Sequence, residues 1–141
     1  MSRAVTILLV DNDAVDVMAV KRTFRELKIA NPVVEAHDGI DALERLRGEN
    51  GYQKVSEPLL ILLDLNMPRM GGIEFLEELR RDPLLCTTLV FVMTTSDAEE
   101  DRRLAYQKNV AGYVLKNHLG PSFLEAFGML EHYWRVIEFP G

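Results

Sequence analysis

Five short apolar runs, each followed by a segment with helical periodicity, predict an α/β chain built on a doubly wound, five-stranded parallel sheet. The runs are Val5–Val10, Val33–Ala36, Leu59–Leu63, Leu89–Met93 and Gly112–Leu115. Continuous apolar runs of this length suit strands buried on both faces. Strict alternation of strand and helix implies parallel pairing, right-handed crossovers and helices on both sides of the sheet. A second observation agrees with the first. The polar residues with chemical potential follow the apolar runs directly, at the carboxyl ends of strands, where open α/β sheets place their sites.

In chain order, VTILLV runs into Asp11, Asn12 and Asp13. Val17, Val20, Phe24 and Leu27 then recur at three- and four-residue spacing, which predicts a helix with one apolar face. Asp13 is placed to cap it, and Asp16 stands in the first turn, where the helix dipole favours an acid. Asn31-Pro32 ends that segment before the second strand. Asp38-Gly39 makes a turn into a second helix with Ile40, Leu43 and Leu46 inward. The polar stretch Gly48–Pro58 reads as a long surface loop with no chemistry of its own. After LLILLD, Pro68, Gly71 and Gly72 turn the chain into a third helix, from about Gly72 to Arg81, stopped by Asp82-Pro83. The fourth strand ends in Thr94, Thr95 and Ser96. Ser96 and Glu99 have capping-box spacing, so a fourth helix is expected to begin at Ser96 and run to about Asn109. Its apolar face is thin, only Leu104 and Ala105. Lys116 follows the fifth strand, and Pro121–Ile137 reads as a last helix.

At 141 residues the length suits one domain. A formal net charge of −6 argues against a general nucleic-acid binder, which presents a basic face. No apolar stretch is long enough to span a bilayer, and Thr6–Val10 is too short for a signal-peptide core. One cysteine, Cys86, excludes an internal disulfide framework and fits a reducing cytoplasm.

The residues beyond the strand ends form one chemical set: Asp11 and Asn12, Asp64, Thr94 with Thr95, and Lys116. Taken alone, Lys116 looks like a solvated lysine, Thr94 like ordinary strand material, and Asp11 and Asp13 like turn and cap. Their joint placement has no such explanation. Two carboxylates and an amide suit Mg²⁺, which takes one or two carboxylates with retained waters and phosphate oxygens. A lysine charge and a threonine hydroxyl would bind the remaining phosphoryl oxygens. Asp64 would then be a nucleophile forming an aspartyl phosphate. An aspartyl-nucleophile phosphohydrolase on a similar sheet would want a second aspartate two residues later, where this chain has Asn66. A dinucleotide-binding domain would follow its first strand with a glycine-rich loop, where this chain has acids.

The pieces LLVDND, LLILLDLNMPRMGG, FVMTTS and GYVLK resemble, in order and spacing, the receiver domain of bacterial two-component response regulators. The resemblance covers essentially the whole chain and implies a flavodoxin-like (βα)5 receiver fold. It makes Asp64 the phosphoacceptor, puts Asp11 and Asn12 at the positions of the acidic metal-binding pair, and makes the main-chain carbonyl of Asn66 the third protein ligand to Mg²⁺. Thr94 and Lys116 take the phosphate-sensing positions, and Tyr113 the aromatic switch position. The implied partner is a sensor histidine kinase whose phosphohistidine donates to Asp64, switching the face made by the fourth helix, fifth strand and fifth helix. The long loop before the Asp64 strand, the TTS and the HYW near the end resemble the single-domain regulators paired with phytochrome-type histidine kinases, which suggests a bacteriophytochrome as the kinase.

Three positions depart from the family pattern. Asn12 replaces the second acid and leaves one fewer carboxylate for the metal, which motivates an alternative reading as a phosphorylation-independent pseudo-receiver that binds proteins. Asn117 replaces the proline usual after the lysine, and Gly71 an aspartate. The expected organisation is one receiver domain over residues 1–141 with a C-terminal helical extension (about 122–137) and no output domain. Phe123, Phe127, Leu130, Trp134 and Ile137 form a stripe on that extension, from which a homodimer through the last helix is expected.

Overall fold

The computed structural model describes residues 5–116. They form β1 (Thr6–Val10), α1 (Ala14–Glu26), β2 (Val33–Ala36), α2 (Gly39–Arg47), β3 (Leu59–Leu63), α3 (Gly72–Arg81), β4 (Leu89–Thr94), α4 (Glu99–Gln107) and β5 (Gly112–Leu115). All strand pairs are parallel, in the order β2-β1-β3-β4-β5. The expected last helix, the homodimer stripe on it, and Asn117 lie outside the described residues.

The period of two along each strand divides the core into two layers. Leu8, Val10, Ile61, Leu63, Val90 and Val92 face the layer that receives Leu43 and Leu46 of α2, Phe75, Leu76 and Leu79 of α3, and Ala105 of α4. Ile7, Leu9, Leu60, Leu62, Phe91 and Met93 face the other layer, where α1 lays down Val17, Val20 and Phe24. β1 and β3 are buried at every position, as continuous apolar strands in the middle of such a sheet must be.

Local chemistry sets the helix ends. Asp13 caps α1, accepting the N–H groups of Val15 (2.9 Å) and Asp16 (3.3 Å). Asp38 caps α2 through the N–H of Asp41 (2.8 Å), and Gly48 ends it with a left-handed φ of 68°. Leu43 and Leu46 point inward as expected, while Ile40 is only half-buried.

Two expectations need correction. α4 begins at Glu99 with Ala98 as its N-cap and no side-chain cap bond, so Ser96 is not its cap. Ser96 is held elsewhere: its hydroxyl donates to Asp101, its N–H donates to Thr94 Oγ1 (3.3 Å), and its carbonyl accepts from the Tyr113 hydroxyl (2.9 Å). The stretch from Gly48 to Pro58 is more than a surface loop, because it sends Val55 into the core. Val55 N–H donates to the Arg45 carbonyl (3.2 Å), and Tyr52 stacks on the Arg45 guanidinium at 4.1 Å.

Candidate functional site

In this strand order the chain runs from β1 outward to β2, then back across to β3, β4 and β5. The direction therefore reverses between β1 and β3, and the crevice outside their carboxyl ends is where such sheets hold ligands. Asp11 and Asp64 follow these two strands directly. The ladder fixes both: Asp11 N–H donates to the Ala36 carbonyl (3.0 Å) and Asp64 N–H to the Val10 carbonyl (2.9 Å). Two carboxylates thus stand at the switch point on adjacent rigid strands, and both are buried.

Lys116, the residue after β5, brings them together. Its ammonium lies 2.7 Å from Asp11 Oδ2, 2.8 Å from Asp16 Oδ2 and 3.5 Å from Asp64 Oδ2. The other oxygens of the strand-end acids are held by local backbone, Asp11 Oδ1 by Asp13 N–H (2.9 Å) and Asp64 Oδ1 by Asn66 N–H (3.3 Å). Burial pushes the Asp11 carboxyl up, against the opposing pull of Lys116. For Lys116 burial works against the charge, but the bonds to Asp11 and Asp16 and the nearby Asp64 outweigh it, and its pKa is raised. The lysine is therefore a fixed cation at neutral pH. Three carboxyl groups thus surround one ammonium.

Thr94 ends β4 and is completely buried, and Tyr113 of β5 is half-buried. The two meet at Ser96, whose N–H bonds Thr94 and whose carbonyl bonds Tyr113. Asn12 and Asn66 are exposed at the rim. Asp11, Asn12, Asp64, Asn66, Thr94 and Lys116 thus all lie at the carboxyl edge of the sheet, and Tyr113 lies within β5. By sequence Asp16 is only an acid in the first turn of a helix. The sequence carries no signal for its contact with Lys116, which joins the first helix to the last described residue.

Among the described residues no three His, Cys, Asp or Glu side chains are grouped for metal ligation. That excludes a closed side-chain cage but fits Mg²⁺, which keeps several waters and needs only one or two carboxylates. Asp11 and Asp64, both drawn to one cation, are a hard-oxygen pair of that kind.

The loop beyond Asp64 has its own anchor. Arg69 grips Asp38 through two bonds, Nε to Oδ2 (2.7 Å) and Nη2 to Oδ1 (3.1 Å), while Gly39 N–H donates to the Met70 carbonyl (3.0 Å). Burial would raise the Asp38 pKa, but Arg69 and the Asp41 N–H hold it below the ordinary carboxylate range. A depressed folded value means that Asp38 stabilises the fold above the unfolded carboxylate pKa and loses that contribution as pH falls through the folded one. Asp38→Ala is expected to cost about 2 kcal/mol at neutral pH. Urea unfolding of both proteins should show the gap closing in acid. A gap independent of pH would mean that the carboxylate charge contributes nothing.

An open parallel sheet with a strand-end acid pair facing a buried lysine at its switch point places this protein among the α/β proteins whose site lies at the carboxyl edge. The chain belongs to the response regulator receiver domain family, whose family model matches residues 7–126. It is 31% identical over 128 residues to the response regulator Rcp1 of Synechocystis sp., a match covering 91% of this chain and 87% of that one. The crystal structure of the phosphorylated cyanobacterial phytochrome response regulator RcpA superposes with a TM-score of 0.88 at 31% identity, covering 99% of this chain and 100% of that one. The Mn²⁺-bound form of Rcp1 superposes with a TM-score of 0.85 at 30% identity, covering 96% of this chain and 99% of that one.

Proposed function

We propose that this protein is a cytoplasmic single-domain response regulator in which Asp64 accepts a phosphoryl group from a histidine kinase phosphohistidine. The observation that carries the reading is the buried Asp64 carboxylate at the switch point, 3.5 Å from the Lys116 ammonium. In the transfer an Asp64 oxygen attacks phosphorus, the new P–O bond replaces the P–N bond, and the imidazole leaves. Lys116 and the Thr94 hydroxyl are the proposed partners for oxygens of the arriving group. Asp11, Asn12, Asp64 and the Asn66 main-chain carbonyl are the proposed Mg²⁺ site, with Asn12 exposed at its rim. Bound Mg²⁺ supplies neutralisation of the repulsion between carboxylate and phosphate.

Thr94 and Tyr113 are the proposed switch. Drawing Thr94 toward a phosphoryl group would break its bond from Ser96 N–H. Ser96 is also what holds the Tyr113 hydroxyl, so the loop and the face of α4 and β5 would rearrange together. The rearranged face of α4 and β5 is the proposed docking surface for whatever reads the phosphorylated state. The proposed donor is a phytochrome-type kinase, supported by the likeness to RcpA. A homodimer through the last helix belongs to the same reading, and sedimentation of the wild type beside Trp134→Ala tests it, since monomers in both would end it.

The deciding experiment is intact mass after incubation with a small-molecule phosphodonor, with and without Mg²⁺. We expect a Mg²⁺-dependent phosphoryl adduct in the wild type and none in Asp64→Asn. Thr94→Ala should still take up the group but lose the accompanying change in the Tyr113 environment. A wild type that forms no adduct and binds no Mg²⁺ would favour the phosphorylation-independent pseudo-receiver, the reading that Asn12 motivates.

A further inference from the structure

We propose that Asp16 is a positioning residue for phosphoryl transfer, a dedicated second anchor that holds the Lys116 ammonium toward Asp64. The proposal rests on the receiver reading of Asp64 given above. Its basis is the way the start of α1 is wired. An acid three residues after an N-cap ordinarily folds back onto the N-cap N–H to close a capping box. Here that donor is already taken, because Asp13 N–H bonds Asp11 Oδ1 at 2.9 Å. Asp16 is therefore free to extend, and its Oδ2 accepts from Lys116 Nζ at 2.8 Å.

The consequence for the lysine is geometric. An ammonium has three donors on a flexible four-carbon stem. Asp11 and Asp16 take two of them at 2.7 and 2.8 Å, which fixes the rotation of the group. The remaining N–H is left for the side of Asp64, whose Oδ2 is 3.5 Å away. Asp11 is also a proposed metal ligand, so its oxygens are shared between two cations. Asp16 is not one of the proposed ligands, and among the described residues its carboxylate pairs with Lys116. It is the anchor that stays with Lys116 whatever Asp11 holds. The side chain of Asp16 is one-third exposed against 5% for Lys116, so removing it opens no core cavity.

The test compares wild type, Asp16→Ala and Asp16→Asn with phosphoramidate as donor at saturating Mg²⁺. In Asp16→Ala the rate at saturating donor should fall about tenfold while the donor KM changes less than about twofold, because the loss is of orientation in the transfer step. Asp16→Asn keeps an acceptor oxygen for Lys116 and should recover part of the rate. An unchanged rate in Asp16→Ala overturns the proposal, as does a loss that disappears when Mg²⁺ is raised, which would make Asp16 a contributor to metal affinity only. A second readout needs no phosphorylation. In the resting protein, the NMR signal of one lysine ammonium, assigned by its absence from Lys116→Arg, should exchange slowly with water. Rapid exchange in Asp16→Ala supports the anchor, and slow exchange in both proteins overturns it. A wild type that forms no adduct defeats the receiver reading, and the ammonium signal still decides whether Asp16 anchors Lys116.

Discussion

Arg80→Ala is expected to lower the thermal midpoint by roughly 10 °C, the shift that about 3 kcal/mol produces in a domain of this size. Arg80 lies in the last turn of α3, where an unremarkable surface cation would be expected. Its guanidinium instead donates to four carbonyls: Cys86 (2.8 Å), Thr88 (2.8 Å), Lys108 (2.7 Å) and Asn109 (3.0 Å). Two belong to the connection before β4 and two to the turn after α4. One side chain thus satisfies the backbone of two irregular segments that no helix or strand can serve. Burial opposes its charge and pushes the pKa down, so these carbonyls stand in for the water it has lost. Removing it leaves acceptors unpaired, which costs more than the net worth of the bonds. Arg80→Lys should recover less than half of the loss, because a point-like ammonium lacks the planar fork. Thermal unfolding followed by circular dichroism reads both variants, and an unshifted midpoint in Arg80→Ala would remove the staple from the account. The Lys108–Asn109 turn leads into β5, so the same variant loosens the strand that carries Tyr113 toward Lys116.

Gly72→Ala is expected to destabilise the fold by about 2 kcal/mol and to impair phosphoryl uptake, although no reactive group is touched. A Cβ at Gly72 would meet the Asp64 carbonyl, Leu65 Cα and Leu65 Cδ2, each at 2.7 Å. Two of these are backbone atoms just beyond β3, which cannot swing aside as a flexible side chain would. The first turn of α3 must then back away from the strand, taking the Asp64 carbonyl out of register. Helix propensity alone predicts the opposite sign, since alanine is favoured over glycine by up to about 1 kcal/mol in a helix. The sign of the measured change therefore decides between them. Urea unfolding supplies it, and intact mass with a phosphodonor shows whether Asp64 has been displaced. A stabilised variant with full uptake would mean that the close approach is unimportant.

Much of the fold was legible because it depends on local or periodic chemistry. The apolar runs located β2, β3 and β5 to the residue, and Asp13 and Asp82 marked the ends of α1 and α3 by caps and turn chemistry. Where a side chain had competing partners, spacing misled. Ser96 and Glu99 have the spacing of a capping box, yet Thr94, Tyr113 and Asp101 claim Ser96 first, and α4 starts three residues later. Asp38 was legible as a turn residue, but its grip on Arg69, which steadies the loop after Asp64, was not.

By itself the sequence determined which residues gather at the carboxyl edge. Parallel strands all end on that side, so Asp11, Asp64, Thr94 and Lys116 had to share it whatever the strand order. Only the tertiary structure decided their partners. The order β2-β1-β3-β4-β5 sets Asp11 beside Asp64 at the switch point, and the lysine that ends β5 reaches back across to them. Packing α1 against its face of the sheet brings Asp16 to the same ammonium, and packing α3 beside α4 brings Arg80, which also holds the nearby Cys86 and Thr88 carbonyls, to those of Lys108 and Asn109. The physical reason is range: helix periodicity and capping act within a few residues, whereas these ion pairs and backbone staples join segments that meet only after the sheet has formed.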